Sequence, residues 1–378
     1  MTMKKWTIWM MLALLAGCSE DSEQDRWRVT FETQPLAREY VEEQQPAVKT
    51  RTWSPPSGYQ LYSVLNNEFL LQTNLVDNTI GVFLTQDGGS PLQGMFYKHN
   101  DHWKSDMEIT SAGDYYVYGF IPQELPSSAT IEGNSNYSDG AILKLNGLST
   151  VTPTDVCVVV GAKEGPSNES VTGLETGRFK VYAKAAEKSG SGTEDKNHLY
   201  LLFDHLYTAL RFNFKVDATY NELRTIKLRK LELKATTTGA RAKYNATITL
   251  KKNDTGASPI KSVVFEPDLS SAVTSAYITL FDGETTLEAI TPSSFMGCFV
   301  QGASTYYLLR STYDVYDRKG NLIRKGCQAE NAIDVLERFN TSTVERGHMY
   351  SLTLTVKPTY LYVLSDPDLD NPVVEYAP

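Results

Sequence analysis

Few residues of this chain have the type and spacing that chemistry needs. His99-Asn100-Asp101-His102 sets two imidazoles three positions apart, a spacing that can hold a metal. The Asn-Asp between them reads instead as the turn of a solvated hairpin. His205 falls in the apolar stretch Leu201–Leu210 and reads as a hydrogen-bonded core residue. Asp366-Pro367-Asp368-Leu369-Asp370-Asn371 has the opening rhythm of a calcium loop. Its sixth position is Asn371 and its twelfth Ala377, where such a loop needs Gly and Glu. It reads as an acidic turn between strands. Phosphate-binding glycine loops, paired zinc-binding histidines and a nucleophile elbow are all missing. No catalytic residue, metal site or cofactor is assigned, and the chain reads as a non-enzyme.

The cysteines divide by setting. Cys157 sits in Asp155-Val156-Cys157-Val158-Val159-Val160, which reads as a buried strand with a small core thiol. Cys298 and Cys327 can form a disulfide if their strands are neighbours. Cys18 stands apart, at the end of Leu15-Ala16-Gly17-Cys18.

The elements that carry these residues are strands. Leu210, Phe212, Phe214 and Val216 alternate with Arg211, Asn213 and Lys215. Ile80, Val82 and Leu84, then Tyr244, Ala246, Ile248 and Leu250, then Tyr350, Leu352, Leu354 and Val356 repeat the period of two. One buried and one wet face is the antiparallel sandwich pattern. In Arg224–Lys234 the parity slips: Ile226 and Leu228 share one phase, Leu231 and Leu233 the other. A β-bulge at Arg229-Lys230 keeps all four on the core side. Helical signal is confined to Asn331–Phe339. The fold expected is all-β, two antiparallel β-sandwich domains in tandem with few short helices.

The N-terminus sets the compartment. Lys4 and Lys5 precede an apolar run from Trp6 to Ala16. Eleven residues fall short of the ~20 that a membrane-spanning helix needs, so residues 1–17 read as a secretory signal. The ending resembles a lipobox, which makes Cys18 the lipidated first residue of the mature chain. Residues 18–25 form an acidic tether that cannot bury a core, and it resembles the export tag of surface lipoproteins. The expected location is the outer membrane and cell surface, with Cys18 in the outer-membrane lipid. Removing residues 1–17 leaves 361 of 378, which suits two domains. Losing Lys4 and Lys5 takes the net charge from -9 to -11, which excludes nucleic acid as a partner. The apolar-free stretch Lys188–Lys196 reads as a linker, placing an N-terminal domain at 26–197 and a C-terminal domain at 198–378.

Aromatic residues Trp53, Tyr59, Tyr62, Trp103, Tyr115, Tyr116 and Tyr118 gather in the N-terminal half. They support an alternative, a monomeric surface lipoprotein that binds glycans through exposed aromatics.

Several stretches together resemble the fimbrillin family of lipoprotein-derived pilins. They are Val29–Glu32 with Lys49-Thr50-Arg51-Thr52, Gly113–Pro122, Phe203–Phe212 and Arg346–Leu354. The resemblance implies two transthyretin-like (Greek-key) sandwiches and a structural, adhesive fimbrial (pilus) subunit. It implies that a protease cuts after an N-terminal arginine and releases the first strand with its lipid. The next subunit's C-terminal strand then fills the vacated groove. On this chain the released strand falls at Trp27–Thr33, with Arg51 as the first processing candidate and Arg38 as the second. The donor strands fall at Tyr360, Tyr362 and Leu364 and at Val373 and Val374. The partners implied are other pilus subunits and a host or bacterial surface receptor.

Overall fold

The computed structural model describes residues 31–38, 41–44, 61–63, 79–99, 102–105, 107, 109, 112–165, 174–183, 197–236, 243–252, 259–270, 276–300, 305–357 and 373–376. The first strands are β1 (Phe31–Arg38), β2 (Val41–Gln44), β3 (Leu61–Ser63), β4 (Ile80–Thr85), β5 (Leu92–His99), β6 (His102–Lys104) and β7 (Gly113–Ile121). Then come β8 (Ser128–Asn134), β9 (Asn136–Ser149), β10 (Val151–Thr152), β11 (Cys157–Glu164), β12 (Lys180–Ala183), β13 (Asn197–His205) and β14 (Thr208–Val216). After helix α1 (Ala218–Leu223) follow β15 (Thr225–Ala235), β16 (Lys243–Lys251), β17 (Ile260–Pro267), β18 (Ile278–Thr286), β19 (Ser293–Phe299) and β20 (Tyr306–Tyr316). The chain closes with β21 (Leu322–Asp334), helix α2 (Val335–Phe339), β22 (His348–Lys357) and β23 (Val373–Tyr376).

Among the described residues the fold is all-β, and the strands form four sheets around two apolar cores. A nine-stranded sheet, β11-β13-β1-β6-β5-β4-β7-β12 with β3 on β1, faces the four-stranded sheet β17-β16-β9-β8. A six-stranded sheet, β10-β19-β14-β22-β2 with β23 on β22, faces β18-β15-β20-β21. Alternation in the sequence maps onto these faces: Tyr244, Ala246, Ile248 and Leu250 point into the first core, and Leu210, Phe212, Phe214 and Val216 into the second. The phase slip in β15 is a bulge between Leu228 and Lys230 against both neighbours. It leaves Ile226, Leu228, Leu231 and Leu233 all buried.

Several local expectations change. All of Ile80–Thr85 is buried, so β4 has no wet face. Asn331–Asp334 ends β21, and only Val335–Phe339 is helical. There the Asp334 carboxylate accepts from the Leu336 and Glu337 amides and starts the turn. Not every pairing is antiparallel: β1 runs parallel to β13, and β2 and β14 run parallel to β22. β14 and β22 are far apart in sequence, and the intervening chain builds the facing sheet before returning, as a parallel pair requires.

The two halves of the chain interlock. β13 pairs with β1 and β11 in the first sandwich, so the chain passes between cores at Leu206–Thr208, past the expected boundary at 197–198. The hairpin β16–β17 returns to pair with β9 of the first sandwich, and β10 pairs with β19 of the second.

Candidate functional site: the seats of the terminal strands

The two ends of the described chain meet on one strand. β14 occupies one side of β22 along Met349–Val356. The opposite side is divided. β2 pairs in parallel with His348–Ser351, and β23 pairs antiparallel with Leu354–Lys357. The two segments therefore lie end to end along one ten-residue strand. Leu352 and Thr353 fall between them.

β1 is seated differently. It pairs with Asn197–Phe203 of β13 on one side. On the other it meets Lys104 and Trp103 of β6, then Ser63, Tyr62 and Leu61 of β3. It is an internal strand, yet it carries Pro35 opposite Leu201. Proline has no N–H to give a ladder, so this internal strand is held by fewer bonds than its length offers. One continuous N-terminal piece, residues 31–44, thus fills places in both sandwiches.

A polar cluster fixes the start of β22. The Arg346 guanidinium donates to the His205 carbonyl at 3.0 Å and to the fully buried Asp204 carboxylate at 3.3 Å. The Gly347 amide donates to the Tyr207 carbonyl at 2.8 Å, and the Thr208 hydroxyl to the Glu345 carbonyl at 2.7 Å. These bonds tie the strand crossing at Leu206–Thr208 to the residues that open the β22 seat. Behind them, His205 Nδ1 lies 2.6 Å from Asp155 Oδ2 and 3.4 Å from Cys157 Sγ, all fully buried.

This trio has metal-ligand types, and its ligand atoms lie within 4.8 Å of one another. A tetrahedral zinc with bonds of about 2.0–2.3 Å holds its oxygen and nitrogen ligands more than ~3 Å apart. The 2.6 Å separation is a direct hydrogen bond. A nucleophilic relay would place the carboxylate and the thiol on opposite ring nitrogens. Here both face Nδ1. Burial, with Asp155 and Asp204 close by, raises the Cys157 thiol well above its ordinary range, which disfavours the thiolate that nucleophilic attack requires. Burial also raises the Asp155 carboxyl, with His205 opposing that shift. The cluster is built to hold position.

The sequence-derived candidates separate as follows. Cys18, Arg51, Tyr360, Tyr362 and Leu364 lie outside the described residues. Val373 and Val374 are in β23, paired with Lys357 and Val356 of the chain's own β22. Arg38 ends β1 opposite Leu61. The first strand runs over Phe31–Arg38, later than Trp27–Thr33, and residues 27–30 lie outside the described residues. Cys298 and Cys327 are not joined: they sit on β19 and β21, strands of different sheets, and pack into different cores. Of the seven aromatic residues, Trp103, Tyr115 and Tyr118 are buried in the first core and Tyr116 packs partly against it, so these four offer no exposed platform. Trp53 and Tyr59 lie outside the described residues, and Tyr62 is placed only through its β3 pairing with Ala37. His99 and His102 pair across the β5–β6 hairpin. Sequence reasoning missed Asp155 and Asp204 as partners of His205. The signal was present, since two of the stretches quoted above, Phe203–Phe212 and Arg346–Leu354, are the ones that Arg346 joins.

No family model and no curated protein matches the chain. Among solved structures it is similar to a proposed cell adhesion protein from Bacteroides fragilis, at 11% identity and a TM-score of 0.41, covering 93% of this chain and 97% of that one. A fimbrial protein from Bacteroides vulgatus matches at 12% identity and a TM-score of 0.36, over 90% and 98% of the two chains. The fimbrial anchor protein Mfa2 from Porphyromonas gingivalis matches at 11% identity and a TM-score of 0.26, over 91% and 95%.

Proposed function

We propose that this protein is a non-enzymatic, adhesive pilus subunit of the cell surface, exported as a lipoprotein on Cys18 and assembled by strand exchange. The observation that carries this reading is the division of the β22 edge between the N-terminal β2 and the C-terminal β23. Loss of the N-terminal piece would free His348–Ser351, next to the stretch that a C-terminal strand already fits. The same loss would leave Asn197–Phe203 of β13 without its parallel partner. An unpaired strand edge takes up a strand from another chain through main-chain hydrogen bonds. At about 1 kcal/mol net for each ladder bond, such a seat gives several kcal/mol before side chains count.

Arg51 is the better processing position. It follows both β1 and β2, so one cut releases the whole of residues 31–44. A cut at Arg38 would leave β2 on the body, and Arg38 is itself paired in the sheet. The donor would be the C-terminal segment that includes β23, and the partner a further copy or a related subunit.

The test is limited trypsin digestion of the lipid-free precursor, read by intact mass and by an unheated denaturing gel. Cleavage after Lys49 or Arg51 followed by a ladder of multimers is expected, with the Lys49→Gln/Arg51→Ala variant remaining folded, uncut in this segment and monomeric. A cut product that stays monomeric would overturn strand exchange.

A further inference from the structure

One end of the second sandwich is unlike the rest of this acidic protein. Three connections meet there. The tip between β20 and β21 touches α1, where the Arg318 Nε donates to the Glu222 carbonyl at 2.8 Å. The chain after β18 joins the same end through Val216 N to Glu288 O at 3.1 Å and Leu287 N to Ile226 O at 2.9 Å. Each connection presents aliphatic side chains to water. Ile290 is 92% exposed, Leu322 50%, Leu223 44% and Ile323 42%.

The tip itself outruns the core. In a strand with one buried face every second residue should be covered. From Lys319 to Gly326 none is buried. Leu322 and Ile323 therefore expose adjacent side chains from opposite faces of the hairpin. Arg318, Lys319, Arg324 and Lys325 flank them in the same hairpin tip, and Arg224 closes α1, the helix that Arg318 touches. The acids at this end are Asp217, Glu222, Glu284, Glu288, Asp314 and Asp317. Asp217 caps α1, Asp314 accepts from the Gly326 amide and faces Arg229, and Glu284 is paired with Lys227 and Arg229. The Asp317 carboxylate is committed to the turn, accepting from the Lys319 amide and from the Asn321 amide and side chain at 2.8 Å each.

Shape and composition choose the occupant. A peptide ligand needs a groove or an open sheet edge, and a hairpin tip is convex. Protein interfaces concentrate Trp and Tyr with Arg, whereas the exposed apolar residues here are aliphatic. Aliphatic side chains ringed by Lys and Arg match a phosphate-bearing lipid surface, where basic groups meet headgroups and apolar ones enter the acyl boundary. We propose that this end of the second sandwich is a membrane-contact site for anionic lipid headgroups. The β20–β21 tip enters the interface, and Ile290 and Leu223 flank it. The site is independent of strand exchange and would add a second attachment beside any lipid on Cys18, since one acyl chain alone holds a protein only reversibly.

The test uses residues 19–378, which lack the lipidation position, in co-sedimentation with vesicles of phosphatidylcholine alone or with phosphatidylglycerol added. Binding to the anionic vesicles at least ~10-fold above the neutral ones is expected, falling as salt is raised. Arg318→Gln/Lys319→Gln/Arg324→Gln/Lys325→Gln should remove that preference. Leu322→Ser/Ile323→Ser should weaken binding about tenfold at constant charge. Thermal melting confirms that both variants are folded, and Lys261→Gln, on the distant β17, serves as a charge control that should bind unchanged. Equal binding to both vesicle types overturns the proposal, as does wild-type binding by the tip variants.

Discussion

β1 and β2 belong to one N-terminal piece, but they are held in opposite ways. β1 lies inside its sheet, with β13 along one side and β6 and β3 along the other. β2 lies on a rim with β22 as its partner and β23 beyond its end. An internal strand binds through two ladders and leaves two bare edges when it goes. A rim strand binds through one and leaves one. Removal of residues 31–44 would therefore be costly in the first sandwich and cheap in the second. A chain built this way is held mainly by β1, while β22 is the edge most easily opened.

The largest effect should come from removing the whole piece. A chain that starts at residue 52 is expected to lose most of its stability margin, more than ~5 kcal/mol at about 1 kcal/mol per lost ladder bond, and to associate on a gel-filtration column. A synthetic peptide of residues 31–44 should restore a monomer. A truncated chain that melts like the full one would break the contrast between the two seats.

Single prolines sharpen it. Thr33 is paired on both sides, to Leu199 and to Trp103. Thr33→Pro should cost about 3 kcal/mol in urea unfolding, because the ring removes a donor and clashes within a filled sheet. Along β2 alternate N–H groups face away from β22. One of Glu42→Pro and Glu43→Pro should therefore cost no more than about 1 kcal/mol. Similar costs at all three positions would show that β1 and β2 are held alike.

How much of this was legible in the sequence depends on the range of the interaction. The alternating strands other than β4, the bulge at Arg229-Lys230 and the burial of Cys157 and His205 are local consequences of residue type, and they read correctly. The parallel partners of β1 and β2 did not, because pairing across more than a hundred residues leaves no mark in either segment's own pattern. Three of the N-terminal aromatics, Trp103, Tyr115 and Tyr118, misled for a related reason. Tyr115 and Tyr118 alternate as readily toward a core as toward water, and only the facing sheet decides. The link between Asp204 and Arg346 was half visible, as two motifs whose contact the sequence could not state.

The cluster behind the β22 seat offers a smaller effect with a definite sign. Burial raises the Asp155 carboxyl above its ordinary value of 3.8, although His205 opposes the shift. A group with a raised folded value contributes stability that is whole at low pH and is lost as pH rises through that folded value. Asp155→Asn keeps the shape and removes the titration. The difference in urea midpoint between wild type and variant should therefore drift in the variant's favour as pH is raised from the acid side. A drift of the opposite sign would mean that Asp155 is held charged, as half of a strong ion pair with His205.

The smallest effect should be none. Cys298 lies in the first core and Cys327 in the second, on strands that do not touch in the pairing of either sheet. The protein should melt at the same temperature with and without a reductant, and Cys327→Ser should shift that temperature equally in both conditions. A disulfide closing so short a loop, between β19 and the middle of β21, would instead add about 3 kcal/mol and disappear on reduction. It would also have to pull β21 toward the six-stranded sheet, at the cost of the Tyr313 to Cys327 pairing that holds the long β20–β21 hairpin together. The two cores are thus joined by packing and by the Arg346 contacts, with no covalent tie between these strands. Rearrangement at the β22 rim can proceed without breaking a bond.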